Sequence, residues 1–184
     1  MSQPRAADAA AAAPEPRAVQ AFIGLGSNLA NPPAQIARAL AAIARLPHTR
    51  LTAVSAIYRT APHGVRVRQP DYLNAVAEVA TALPPLALLN ALQRIERAQR
   101  RRRIAPNTPR SIDLDLLLYG AHRRRSRELR LPHPRLHHRA FVLKPLVELA
   151  PGLLVPGHGR VHKFLHRARA QRVARLPGPP PSTR

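Results

Sequence analysis

Two of the nine carboxylates in this chain, Asp113 and Asp115, stand one residue apart in the stretch RSIDLDLLLYG. If Ile112–Tyr119 forms a β-strand, successive side chains point to opposite faces. Ile112, Leu114, Leu116 and Leu118 then enter the core, and Asp113 and Asp115 share the other face with Leu117 and Tyr119. Their Cα atoms would lie roughly 6.6 Å apart, two strand rises of ~3.3 Å. Like charges that close repel unless cations compensate. Three compensators fit: neighbouring arginines, a proton shared for acid–base work, or Mg2+, which takes one or two carboxylates together with substrate phosphates. Two Mg2+ ions ~3.5–4 Å apart also match the spacing.

The arginines nearby favour a phosphate-bearing ligand. Arg100, Arg101, Arg102 and Arg103 precede the strand, and Arg110 lies three residues before Asp113. A polyphosphate is served by metal and guanidinium together, the latter offering paired donors to its oxygens. The run falls between a helix pattern and a strand pattern, which suits a loop closing over a bound anion better than a solvated tail.

The 184 residues carry 30 Lys+Arg against 9 Asp+Glu, a formal net charge of +21. Only Lys144 and Lys163 are lysine. Such a balance implies an anionic partner or a strongly positive field, though arginine enrichment also arises from genome composition. Cysteine is absent, which excludes disulfides, thiolate metal sites and cysteine nucleophiles. No apolar run approaches the ~20 residues of a membrane-spanning helix. A purely nucleic-acid-binding role would use the clusters at 100–103 and 123–127, but carboxylates beside a phosphate groove repel, and no zinc-finger spacing or base-stacking array is present. Nucleic acid is expected only as a weak nonspecific partner of the basic surface.

The elements that must position these residues follow from periodicity. VQAFIGLGSN reads as a strand entering a turn at Gly26–Asn28. PPAQIARALAAIARL reads as a helix with Ile36, Leu40 and Ile43 on one face and Pro33 near its start. LTAVSAIYR and YLNAVAEVAT read as strands. PPLALLNALQRIERAQ reads as a second helix, with Leu86, Leu89 and Ala91 to Ile95 on its apolar side. SIDLDLLLY is the fourth strand. AHRRRSRELRLPHPRLHHR is mostly loop, AFVLKPLVELAP a short helix, and VHKFLHRARAQRVARL one more basic helix. Residues 1–19 and 176–184 read as disordered Ala/Pro- and Pro-rich tails around a single domain over 20–175. The order strand, helix, strand, strand, helix, strand predicts an α+β fold with a mainly antiparallel sheet flanked by helices.

Several separated motifs occur in one order: GLGSNL, YRTAPHG followed by QPDYLNAV, LQRIE, PRSIDLDLLLYG and LPHPRLHHRAFVLKPLVELAP. In these, from about Ala21 to Pro156, the chain resembles the hydroxymethyldihydropterin pyrophosphokinases of folate biosynthesis. The resemblance implies a ferredoxin-like α/β sandwich. It also implies transfer of pyrophosphate from ATP to 6-hydroxymethyl-7,8-dihydropterin with release of AMP, aided by two Mg2+ ions, in a monomeric cytoplasmic enzyme. Asp113 and Asp115 match the family's metal-binding aspartates. Arg101, Arg103 and Arg110 match phosphate-contacting arginines, with Arg101 and Arg110 as the catalytic pair. Gln93, Glu96, Arg103, His133 and Arg139 match positions at or near the nucleotide. Thr60, Tyr72, Asn74 and Phe141 match the pterin site, where aromatic faces can sandwich a flat heterocycle and an amide can read its edge. There are departures: Asn107 and Thr108 replace a common Trp-Gly pair, Arg100 stands where glycine is common, and His63 replaces an apolar residue. No Walker A pattern is present, so Gly26 to Asn28 are read as a structural strand-to-helix turn.

Overall fold

In the computed structural model, residues 17–62, 69–99, 109–178 and 181 are described. Arg100 to Arg103, Asn107, Thr108 and His63 lie outside the described residues, as do Met1 to Pro16 and most of the C-terminal tail. The element order is β1 (Val19–Ser27), α1 (Pro32–Ala44), β2 (Thr49–Val54), β3 (Tyr58–Thr60), β4 (Tyr72–Thr81), α2 (Pro85–Ala98) and β5 (Asp113–Tyr119). There follow a two-stranded ribbon, β6 (Arg124–Arg125) with β7 (Arg130–Leu131), then α3 (Ala140–Leu149). A second ribbon, β8 (Leu154–Val155) with β9 (Gly159–Arg160), precedes β10 (Val173–Arg175).

The main sheet is antiparallel throughout, in the order β10-β3-β4-β1-β5, with β2 also pairing β4. The sheet is the mainly antiparallel one the element order predicts, and with β2 and β3 counted as one interrupted strand it has the ferredoxin-like arrangement the family resemblance implies. Residues 51–59 do not form one strand because the ladder is broken at Ser55–Ile57. There the Ser55 hydroxyl accepts the Val76 N–H at 3.0 Å, and the Glu148 carboxylate accepts the Ala56 N–H at 3.0 Å. Side chains thus satisfy main-chain groups that a continuous ladder would have paired.

One face of the sheet packs Ile23, Leu25, Ala77 and Val79 against Ile36, Leu40 and Ile43 of α1 and Leu88, Leu92 and Ile95 of α2. The other face packs Phe22, Val76 and Leu117 against Val142, Leu143 and Leu146 of α3 and against Val161 and Phe164. Leu86 and Leu89 are only partly buried, and Leu88 takes the central place expected of them. Burial of aliphatic surface at roughly 25 cal/mol per Å2 supplies the driving force for both layers.

The predicted alternation along β5 holds to Leu116 and then breaks. Ile23 pairs with Leu116 and Phe22 with Leu118, leaving Leu117 as an extra, bulged residue. Beyond this bulge Leu118 turns to the α3 side and Tyr119 to the α1/α2 side, the reverse of strict alternation. The aspartates precede the bulge and keep their predicted face.

The basic segment at 161–176 is not one helix. Val161–Ala168 forms 3-10 turns that bury Val161, Phe164 and Ala168, and Val173–Arg175 then becomes an edge strand on β3. The unpaired edge of β3 offers main-chain partners that compete with helix formation. Among the described residues, no helix is long and apolar enough to cross a membrane.

Candidate active site

The site is laid out by cross-strand register. Gly26 of β1 pairs with Asn74 of β4 on one side and Asp113 of β5 on the other. Two residues along, Gly24 pairs with Val76 and Asp115. Ile23 and Leu25 face α1 and α2, so both glycines face the α3 side with the two aspartates. The middle strand therefore carries no side chains between Asn74 and the carboxylates. A Cβ at Gly26 would lie 3.3 Å from Asn74 Oδ1, and one at Gly24 would lie 3.4 Å from the Leu117 methyls. Gly26 is a strand residue forming this floor, not part of the expected turn. Glycines two apart on the face opposite Ile23 and Leu25 were the available signal.

The carboxylates are about one-quarter (Asp113) and one-third (Asp115) exposed and face two arginines and a histidine. Arg110 Nη1 donates to Asp113 Oδ2 at 2.7 Å. Arg139 Nη1 donates to Asp115 Oδ2 at 3.4 Å, and His133 Nε2 lies 3.8 Å from the same oxygen. His133 Nδ1 accepts the Arg135 N–H at 3.2 Å, which places the ring proton on Nε2, facing Asp115. Burial pushes the His133 pKa below its ordinary value, and Arg139 and Arg135 add to this against the opposing pull of Asp115 and Asp113. Burial also lowers that of Arg139, whose guanidinium nonetheless stays cationic at neutral pH.

Two buried polar residues hold the carboxylate strand from behind. Glu96 of α2, only 3% exposed, accepts the Leu114 N–H at 2.8 Å between the two aspartates. Asn28, 2% exposed, accepts the Arg110 N–H through Oδ1 at 2.9 Å. Its own N–H donates to the Arg110 carbonyl at 3.2 Å. Its Nδ2 donates to Pro70 O at 3.2 Å and to Gln69 Oε1 at 3.4 Å. One amide thus fixes the chain where it enters β5 and where it approaches β4. The sequence offered no local sign of either function, since the partners are far along the chain. Gln93 lies half-buried on α2, three residues before Glu96.

The residues expected to hold a heterocycle gather across the glycine floor. Asn74 Nδ2 donates to Thr60 Oγ1 at 3.0 Å and to the Tyr58 carbonyl at 3.4 Å. Tyr72 pairs with Thr60 across the ladder, and its hydroxyl donates to Gln69 Oε1 at 3.3 Å. Phe141, at the start of α3, carries the Arg139 guanidinium over its ring at 5.5 Å. Arg139 therefore joins the carboxylate end to the aromatic end. A separate cleft of about 510 Å3 beside Phe22, Leu118, Leu153 and Leu154 contains none of these residues.

The carboxylate pair suits Mg2+, a hard cation that takes carboxylate oxygens: Asp113 and Asp115 share one face of the sheet. Among the described residues there is no cluster of three His, Cys, Asp or Glu that could hold a metal.

Residues 22–151 match the family model of the 7,8-dihydro-6-hydroxymethylpterin-pyrophosphokinases. Over 157 residues the chain is 45% identical to the 2-amino-4-hydroxy-6-hydroxymethyldihydropteridine pyrophosphokinase of Pseudomonas aeruginosa, covering 85% of this chain and 96% of that protein. The enzyme of the same name from Haemophilus influenzae is 46% identical over 138 residues, covering 75% of this chain and 86% of that one. A crystal structure of the longer Plasmodium falciparum HPPK-DHPS, with pterin and p-hydroxybenzoate, aligns with a TM-score of 0.65 at 13% identity. That alignment spans 84% of this chain and 44% of the Plasmodium chain, and at this identity it speaks for the fold alone. The chain belongs to the 7,8-dihydro-6-hydroxymethylpterin-pyrophosphokinase family.

Proposed function

We propose that Asp113 and Asp115 are the carboxylates that would hold two Mg2+ ions in a Mg2+-dependent diphosphotransferase. The reaction of this pyrophosphokinase moves the terminal pyrophosphate of ATP onto the hydroxymethyl group of 6-hydroxymethyl-7,8-dihydropterin, giving AMP and the pterin diphosphate in folate biosynthesis. The observation that carries the assignment is the shared sheet face: both aspartates, ringed by Arg110, Arg139 and His133, across a glycine floor from Asn74, Thr60 and Tyr72.

Catalysis of this kind is mostly positioning and charge stabilisation. Bound Mg2+ supplies charge neutralisation at the phosphates and polarisation of the attacking hydroxyl. The chain's residues do the rest. Arg110, its backbone bonded to Asn28 and its guanidinium beside Asp113, donates to a phosphate oxygen. Arg139 and the Nε2–H of neutral His133 donate to ATP oxygens, together with Arg101 and Arg103 from the loop. Gln93 lies on the nucleotide side, and Glu96 holds the β5 backbone so that both carboxylates keep their face. Asn74 and Thr60 read the pterin edge, and Tyr72 and Phe141 cover its faces. No side-chain base is assigned. The protein is taken to act as a cytoplasmic monomer with one domain over 20–175, its basic surface adding only weak nonspecific contact to nucleic acid.

The test is Asp113→Asn and Asp115→Asn, each assayed for AMP release and for folding by circular dichroism. Folded variants with activity reduced at least a hundredfold support the assignment. Near-native turnover in either variant refutes the metal role of that aspartate.

A further inference from the structure

Arg139 occupies a junction. It follows the 3-10 turn Leu136–His138 and precedes α3, with an extended backbone of φ −114° and ψ 106°. The turn holds its N–H, which donates to the Leu136 carbonyl at 3.4 Å, and α3 holds its carbonyl, which accepts the Val142 and Leu143 N–H groups at 3.0 and 2.9 Å, while its guanidinium faces Asp115 at 3.4 Å and the Phe141 ring at 5.5 Å. A further constraint, on the peptide groups either side, comes from far along the chain. Gln171 Oε1 accepts the Ala140 N–H at 2.9 Å, and Gln171 Nε2 donates to the His138 carbonyl at 2.7 Å. These two peptide groups flank Arg139. One planar amide therefore grips its backbone from both sides, as a neighbouring strand would, and also satisfies a free N–H at the start of α3.

Gln171 lies beyond residue 151, where the family match ends. The residues after it continue into the other half of the site. Val173 pairs with Thr60, and Arg175 pairs with Tyr58 and stands 3.8 Å from Glu148. Lys144 Nζ donates to the Val173 carbonyl at 3.0 Å and fastens the same stretch without touching Arg139.

We propose that Gln171 is a positioning residue for Arg139, and that the stretch Gln171–Arg175 forms a wall tying the phosphate-binding arginine to the strand that carries Thr60. The inference rests on the reading of Arg139 as a substrate-contacting arginine. Misplacement of such a group by about 1 Å costs on the order of a hundredfold in rate. Loss of the clamp, which loosens Arg139 without removing it, is expected to cost at least tenfold.

The test uses full-length protein carrying Gln171→Ala, Gln171→Glu, Lys144→Ala, Arg139→Ala or the Gln171→Ala/Arg139→Ala pair. Thermal midpoints are measured with kcat and both KM values. Gln171→Ala is expected to lower kcat/KM for ATP at least tenfold, while Lys144→Ala stays within twofold of wild type. In the Arg139→Ala background, Gln171→Ala is expected to add less than twofold, because its effect passes through the arginine. Gln171→Glu keeps the acceptor for Ala140 N–H but sets a carboxylate oxygen against the His138 carbonyl, so its midpoint should fall less than that of Gln171→Ala and its activity several-fold. Should Gln171→Ala not fold, Gln171→Glu decides the matter. Wild-type activity in the foldable Gln171 variants, full multiplication of the two losses, or an equal loss in Lys144→Ala overturns the proposal. Wild-type activity in Arg139→Ala instead removes the reading of Arg139, and the positioning role falls with it.

Discussion

Asn28→Ala is the substitution whose cost follows most directly from the structure. The side chain is 2% exposed, so the groups it leaves behind gain little water. Removing Oδ1 strands the Arg110 N–H, bonded at 2.9 Å, which costs about 1–3 kcal/mol. Removing Nδ2 loses longer bonds to Pro70 O and Gln69 Oε1, together on the order of 1 kcal/mol. The sum is about 2–4 kcal/mol, or roughly 30- to 700-fold in the folding equilibrium. For a domain of this size it lowers the thermal midpoint by about 4–16 °C. Activity should fall further than the folded fraction explains, because Arg110 loses its backbone anchor beside Asp113. Asn28→Asp separates the two effects: it keeps the acceptor for Arg110 N–H but sets carboxylate oxygens against Pro70 O and Gln69 Oε1. It should lose less stability than the alanine variant. The measurements are differential scanning calorimetry and AMP release at a temperature where every variant is folded. A thermal midpoint within about 2 °C of wild type together with native kcat/KM in Asn28→Ala would refute the reasoning.

Other expectations can be checked with the same assays. Gly26→Val fills the floor next to Asn74 Oδ1 and Asp113 Cβ, so the KM for pterin should rise more than tenfold in a protein that still folds, and an unchanged KM argues against the floor. Glu96→Leu strands the buried Leu114 N–H and should destabilise by about 1–3 kcal/mol, whereas Glu96→Gln, which keeps an acceptor, should lose less; urea titration distinguishes them. Tyr58→Phe removes the 2.7 Å bond to Glu148 from a phenol whose pKa is pushed up to about 12, chiefly by burial, and should cost about 1 kcal/mol with ATP affinity unchanged. Burial, with His138, His158 and Arg167 nearby, lowers the His137 pKa, so the fold favours its neutral form. Its contribution is present above the ordinary histidine value of about 6.5 and is lost as pH falls through the lower folded value. His137→Asn should therefore flatten the stability profile between that folded value and about 6.5, and an unchanged slope there would exclude this histidine as the cause.

The element order was legible because the periods are clean. Ile36, Leu40 and Ile43 mark a helix, and YLNAVAEVAT forms a strand over the residues expected of it. The carboxylate pair was legible for a simpler reason: two charges two residues apart in an apolar strand must share a face. The bulge at Leu117 was not, because in Leu116–Tyr119 every residue is apolar and either face accepts it. Glu96 was singled out as a position near the nucleotide, and its bond to the main chain was not legible, since the partner is an N–H eighteen residues on. Asn28 and Gln171 were hidden in the same way: an amide that bonds backbone leaves no complementary side chain to notice. The C-terminal strand was masked by an i, i+3, i+7 pattern at Val161, Phe164 and Ala168, real enough to make 3-10 turns but ending before Val173.

The most direct test of the account is AMP formation by the wild-type chain, followed by chromatography with ATP, Mg2+ and 6-hydroxymethyl-7,8-dihydropterin each omitted in turn. The account predicts AMP and pterin diphosphate in equal amounts only when all three are present, and none once the divalent cation is chelated. Product formed at an undiminished rate without Mg2+ would contradict the role given to Asp113 and Asp115.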